Sequence, residues 1–113
     1  MIELTLPWPP SINRYYRIFR NRILISRDGR EYRKTVLEQR RNAQTETLIG
    51  PVEVEIEAFR PDNRKRDLDN LLKAALDALT HAEIFEDDSQ IADLRIFWAA
   101  NMGGVLKVKV RPM

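Results

Sequence analysis

The segment Val52-Glu53-Val54-Glu55-Ile56-Glu57-Ala58 alternates apolar and acidic side chains without a break. Neighbouring side chains on an extended chain point to opposite faces, so this stretch is a strand with one dry and one wet face. Around it the hydrophobic periodicity changes. Asp28 to about Leu48 reads as a long helix with Tyr32, Val36, Leu37 and Ala43 on its inner face, ended by Gly50-Pro51. Leu68, Leu71, Leu72, Ala75, Leu76 and Leu79 form the apolar stripe of a second helix, with Asp69, Lys73 and Asp77 along one border. Ile2 to Leu6 alternates again and stops at Pro7, and Arg22 to Ser26 is a short strand. Ile91 to Ala100 and Val105 to Val110 read as strands joined by a hairpin turn at Asn101-Met102-Gly103-Gly104. The expectation is an α+β fold: one small domain over residues 1–113, with a mainly antiparallel or mixed sheet packed with two main helices.

With 113 residues, 43% of them hydrophobic, the chain builds one small core and has no room for a second catalytic domain. The absence of cysteine excludes disulfides and thiolate metal sites and fits a reducing compartment. No apolar run has the length of a membrane span, and Met1 to Pro10 lack the basic start and cleavage site of a signal peptide. A soluble, cytoplasmic protein with no membrane partner is expected.

The net charge of +2 conceals two opposed regions. Arg14 to Arg41 holds ten basic and three acidic residues, a local charge of +7, and Asp67 to Asp93 holds eight acidic and one basic, a local charge of −7. Such segregation suits a nuclease, in which a positive surface meets phosphates while the cutting site concentrates carboxylates. The basic region also fits an exposed helix face laced with i,i+4 pairs.

The densest chemistry lies in Arg64-Lys65-Arg66-Asp67-Leu68-Asp69-Asn70-Leu71-Leu72-Lys73, with Asp87-Asp88 further on. A hard cation such as Mg²⁺ takes one or two carboxylates, several waters and a substrate phosphate, and Asp67, Asp69 and Asp88 are candidate ligands. Successive helical residues rotate by about 100°, so Asp67 and Asp69 share an ion only if Asp67 sits just outside the helix, at its electropositive entrance. Asp67 would otherwise simply cap the helix, with Asp69 complementing its dipole. Lys73 lies one turn after Asp69 and projects from the same face toward a phosphate. Spacing alone does not choose between Asp87 and Asp88, and Glu86-Asp87-Asp88 also fits a solvated turn. Asp88 follows the helix, so a strand from about Gln90 beside Val52–Ala58 would have to return it to the helix entrance. Arg64, Lys65, Arg66 and Asn70 are placed to hold nucleic-acid backbone. Asn13, Arg14 and Arg17 extend that surface, and Tyr15 and Tyr16 either stack on exposed bases or anchor the loop. His81 reads as a C-terminal cap partner at a helix end rather than a base, and Trp8 and Trp98 as packing residues.

Several of these segments together resemble the RusA family of Holliday junction resolvases along nearly the whole chain. The resemblance runs through Leu6-Pro7-Trp8-Pro9-Pro10-Ser11, Asn13-Arg14-Tyr15-Tyr16-Arg17, Arg66-Asp67-Leu68-Asp69-Asn70-Leu71 with Lys73, Asp77-Ala78-Leu79 and Asp87-Asp88. Ile12, where many relatives carry a polar residue, and the C-terminus at Met113 depart mildly from the pattern and leave the acidic set untouched. The resemblance implies that Asp67, Asp69 and Asp88 are the metal-binding aspartates and that Lys73 is the catalytic lysine. It also implies a homodimer acting on four-way junction DNA with Mg²⁺, Mn²⁺ being an alternative ion. The expected products are paired, ligatable nicks at cytosine-rich dinucleotides. Residue types alone leave open a non-catalytic protein that binds branched DNA, and a nuclease acting on RNA or flaps with the same acidic set.

Overall fold

In the computed structural model, which describes residues Met1–Met113, the alternating segment becomes an inner strand of the main sheet. The elements in chain order are β1 (Ile2–Pro7), α1 (Ile12–Tyr15), β2 (Tyr16–Phe19), β3 (Arg22–Ile25), α2 (Arg27–Ala43), β4 (Val52–Phe59), α3 (Leu68–His81), a single 3₁₀ turn (Asp88–Gln90), β5 (Ile91–Trp98) and β6 (Val105–Pro112). The sheet order is β1-β6-β4-β5, and β2 and β3 form a separate two-stranded sheet. The α+β expectation, with two main helices on a mixed sheet, therefore holds.

The expected hairpin between the last two strands does not form. β4 lies between them, antiparallel to β6 from Val52↔Pro112 to Phe59↔Val105 and parallel to β5 from Val52↔Ile91 to Ala58↔Trp98. The connection crosses the end of β4 instead of folding back, and it is pinned there by backbone N–H donations from Ala99 to Ala58, Gly103 to Arg60 and Gly104 to Phe59. Gly104 takes a left-handed φ of 70° in that crossing. Gly103-Gly104 does mark a turn, but a turn signal carries no information about which strand the chain joins next.

The dry face of β4 (Val52, Val54, Ile56, Ala58) is buried together with Leu4 and Leu6 of β1 and Leu106, Val108 and Val110 of β6. Leu71, Ala74, Ala75, Ala78 and Leu79 of α3 and Tyr32 and Val36 of α2 cover it. α2 packs over β1, α3 lies against β5, and the two helices touch. On the wet face Glu53 pairs with Arg111 (3.3 Å) and Glu55 with Arg95 (3.0 Å). α2 stops earlier than expected, at Ala43, with Gln44 left-handed (φ 53°), and Ala43 is exposed. Beyond Leu37 its sequence is Glu38-Gln39-Arg40-Arg41-Asn42, which gives a longer helix no apolar face to bury. Leu48 instead bridges to Phe85.

One polar network ties the three helices. Arg33 of α2 forks onto Asp77 of α3 (Nε–Oδ2 2.8 Å, Nη2–Oδ1 2.9 Å), and the Tyr15 hydroxyl donates to the same carboxylate. Tyr15 is fully buried, so it is an anchor and not a base-stacking residue. Gly29 allows this packing, because a methyl group there would collide with the Tyr15 carbonyl oxygen. Burial pushes the Asp77 carboxyl up, but hydrogen bonds from Arg33 and Tyr15 outweigh it and hold the group below the usual carboxylate range.

A carboxylate with a depressed folded pKa stabilises the fold above its unfolded value of about 3.9, and that stabilisation disappears as the pH falls. Asp77→Ala leaves the Arg33 guanidinium unpaired in a half-buried setting and is expected to cost about 2 kcal/mol at pH 7, below the range for a fully buried pair. Urea denaturation checks this, and the deficit should shrink as the pH is lowered below about 4.

Candidate active site

The loop from β4 to α3 carries the basic run, and side-chain stacking fixes its path. Trp8, just after β1, stacks on Trp98 at the end of β5 (centroids 6.3 Å apart, planes 17° apart). Arg66 lies against Trp8 (5.5 Å) and Arg60 against Trp98 (4.4 Å). Arg66 also pairs with Asp62 at 2.8 Å, and Asp62 accepts from the backbone N–H of Arg64. Its charged hydrogen bond to Arg66, with the help of the Arg64 N–H, pulls the Asp62 carboxyl down to about 2. Arg66 is therefore a structural clamp, whereas Arg64 and Lys65 are exposed. The two tryptophans are packing residues, as expected. Their arginine partners had no signal in the sequence, because Arg60 is far in sequence from Trp98 and Arg66 from Trp8.

The clamp delivers Asp67 to the start of α3. Asp67 holds the N-cap position in extended conformation (φ −96°, ψ 136°), yet its side chain makes no capping hydrogen bond. Asp69 is exposed in the first turn, and Oδ1 accepts only from the adjacent Asn70 N–H (3.1 Å). The plain capping role for Asp67 is thus not realised, and two carboxylates stand without cationic partners at the electropositive helix end. Lys73 is exposed one turn further on. Its ammonium lies 5.7 Å from the Tyr16 ring centroid and forms no ion pair with Asp69. A cleft beside them is lined by Trp8, Pro9, Pro10, Ser11, Arg14, Arg64, Lys65, Arg66, Asp67, Asn70 and Leu71. Arg14 reaches it while paired to Asp28 (3.0 Å); exposed Asn13 is not in its lining, and Arg17 lies on β2 against Phe19.

Asp88 does not join this group. β5 runs parallel to β4, so its first residues lie beside Val52, and Gln90 donates to the carbonyls of Leu48 and Gly50 there. Asp67 lies beyond the other end of β4. α3, with 14 residues about 20 Å long at 1.5 Å per residue, runs between the two ends. No three acidic or histidine side chains of the chain come together as a metal site. The strand pairing expected for β5 is present, but its parallel direction leaves Asp88 at the wrong end. For the same reason the −7 segment is not one acidic patch.

Around Asp88 the structure separates two neighbours that spacing did not. Asp87 is the N-cap of the 3₁₀ turn, accepting from the Ser89 N–H (3.0 Å) while Gln90 returns to the Asp87 N–H (2.9 Å). The Ser89 hydrogen bonds hold the Asp87 carboxyl below its usual range. Asp88 is exposed and its carboxylate has no hydrogen-bond or ion-pair partner. His81 ends α3, as expected, but its exposed imidazole makes no capping hydrogen bond.

The family model described as Endodeoxyribonuclease RusA matches residues 7–111. The chain belongs to the RusA family. It is 47% identical to a crossover junction endodeoxyribonuclease RusA of Shigella sonnei and 46% identical to that of Escherichia coli K12, in each case over 98% of this chain and 94% of the relative. A crossover junction endodeoxyribonuclease of Enterobacteria phage 82 is 45% identical over the same shares. The RusA resemblance drawn from the motifs thus stands on the whole chain. No helix is long and apolar enough to cross a membrane.

Because Asp67 makes no capping hydrogen bond and Asp87 does, Asp67→Ala is expected to destabilise the fold less than Asp87→Ala, which removes a working cap. Thermal or urea unfolding of the two variants checks the contrast.

Proposed function

We propose that this protein is a divalent-metal-dependent endodeoxyribonuclease that resolves four-way DNA junctions by paired symmetric nicks, working as a homodimer in the bacterial or phage-infected cytoplasm. The observation that carries the reading is the pair of uncommitted carboxylates, Asp67 and Asp69, at the start of α3 and at the rim of a cleft lined by Arg14, Arg64 and Lys65. The names of the relatives, crossover junction endodeoxyribonucleases, support the choice of substrate.

Two oxygen donors of this kind fit Mg²⁺ or Mn²⁺, which keep several waters and take substrate phosphate as a further ligand. Such an ion, when bound, supplies Lewis acidity and an acidified water for in-line attack on phosphorus. The side chains do the rest. Arg14, Arg64 and Lys65 hold the phosphate backbone over the helix start, with Asn70 beside them. Lys73, one turn into the helix, offers its ammonium to the charge that develops on the phosphoryl oxygens.

Asp88 enters through the second subunit. β5 is an edge strand, and its outer part is poorly covered: Leu94, on the same face as Val54, is 38% exposed. α3 turns Asp77 toward α2 and leaves Leu72 and Leu76, both half-buried, on its opposite flank. An open strand edge with apolar side chains beside it favours self-association. If two β5 edges meet antiparallel about a two-fold axis, the beginning of one strand lies beside the end of the other. That arrangement carries Asp88 of the partner subunit toward Asp67 and Asp69, and it builds two equivalent sites for two symmetric nicks.

Cleavage of a synthetic four-way junction, with linear duplex, flap and RNA controls, tests the activity. Wild type should cut the junction in Mg²⁺ and not in EDTA. Asp69→Asn should abolish cutting while binding is kept or tightened, since a negative charge leaves the phosphate path, and Lys73→Ala should slow cutting by about 10²-fold. A junction bound but uncut in both Mg²⁺ and Mn²⁺ would make this a structural DNA-binding protein. Preferential cutting of flaps or RNA would reassign the substrate.

A further inference from the structure

The β2–β3 hairpin stands apart from the main sheet and is built unlike the rest of the surface. Tyr16 and Ile25 face each other at its base and pack against the core. One step outward on the same face, Ile18 and Ile23 pair across the strands and are 78% and 74% exposed. Phe19, 51% exposed, carries the Arg17 and Arg20 guanidinium groups at 5.8 and 5.3 Å from its ring centroid. From Tyr16 to Ile25 the hairpin holds three arginines and no acidic residue.

The turn adds an independent sign. Arg20 and Asn21 both have positive φ (50° and 61°), the pattern of a two-residue hairpin turn that favours Asn and Gly. Asn21 suits it, whereas an arginine in the left-handed region is strained, so the tip carries its charge at a conformational cost. The outer hairpin thus presents apolar side chains on both faces, Ile18 and Ile23 on one and Phe19 among arginines on the other, and this mixture complements nucleic acid, with phosphates outside and base faces inside.

Position relates the hairpin to the site already described. Its first residue, Tyr16, lies under Lys73. Four residues of strand reach about 13 Å, more than the roughly 7.5 Å depth of the minor groove of B-DNA. With a phosphate at Lys73, the hairpin is long enough to reach the base stack.

We propose that Ile18, Ile23 and Phe19 form a wedge that inserts between base pairs at the branch point of bound DNA, with Arg17, Arg20 and Arg22 holding the flanking phosphates. Opening a base step is costly in continuous duplex and cheaper where stacking is already interrupted. The wedge therefore contributes selectivity for branched over linear DNA. It rests on the reading of the protein as a junction nuclease.

The test uses four-way junctions with 2-aminopurine at the steps flanking the branch, bound by the full-length protein in EDTA so that no cutting occurs. Wild type should raise the fluorescence at least twofold. Ile18→Ser/Ile23→Ser, whose changes are on the surface and should leave the melting temperature unaltered, should remove the rise and reduce the preference for junction over duplex at least tenfold. Arg20→Gly should keep the rise and lower the slope of log affinity against log salt by about one. An undiminished rise and preference in the double variant overturns the wedge, as does a double variant that turns from dimer to monomer, which would make the hairpin a contact between copies. Wild type that cuts junctions with no fluorescence rise overturns the wedge alone. Wild type that neither binds nor cuts them overturns the nuclease reading as well.

Discussion

The parallel ladder between β4 and β5 is the constraint on which the rest of the molecule depends. Two neighbouring parallel strands must begin at the same end of the sheet, so the chain leaving β4 has to return along its full length before β5 can start. α3 is that return path. Whatever stands at the start of α3 and whatever precedes β5 are then separated by the length of the helix. Asp67 and Asp69 occupy the first place and Asp88 the second. The same topology makes β5 an edge strand with Leu94 partly uncovered, and it is this open edge that the proposed two-fold association uses to bring the carboxylates together.

The aspartates of the chain divide by what touches them. Asp77 is forked by Arg33 and capped by Tyr15, Asp62 is held by Arg66, Asp28 pairs with Arg14, and Asp87 caps the turn before β5. These groups fix elements in place. Asp67, Asp69, Asp88 and Asp93 have no such engagement beyond the adjacent Asn70 N–H on Asp69, although Asp67 lies at a helix N-cap and Asp69 in a helix first turn, where hydrogen bonds are ready to hand. Carboxylates left open at such positions are available to a ligand from outside. The loop that leads to two of them is held by separate contacts: the stacked pair Trp8 and Trp98, each with its arginine, joins the ends of β1 and β5 to the loop between β4 and α3.

Much of the scaffold was legible in the sequence because burial imposes a period on it. The alternation of β1 and β4, the stripe of α3 and the placing of Asp67 just outside its helix all follow from side-chain direction, and all are present. Failures fall where long-range pairing decides. Gly103-Gly104 announces a turn without saying that the chain will step over β4. Tyr15 sits among arginines in sequence but is turned inward by a hydroxyl partner 62 residues away. The expectation that Asp88 returns to the helix entrance assumed a strand beside β4 without its direction, and direction reverses the outcome. The candidate site residues stood out through chemistry and family resemblance, since no periodicity distinguishes an open carboxylate from a capping one.

The central claim is that Asp88 serves the site of the other subunit, and subunit mixing tests it directly. Asp69→Asn and Asp88→Asn, each inactive alone, would be co-expressed with different tags and the mixed dimer isolated. A shared site predicts that one of the two positions in this dimer is complete, combining Asp67 and Asp69 of the Asp88→Asn chain with Asp88 of the other, so the mixed dimer should nick one strand of a four-way junction in Mg²⁺ at a rate near that of one wild-type site. A mixed dimer as inactive as its parents would contradict the account, because it would mean that all three aspartates act within one protomer.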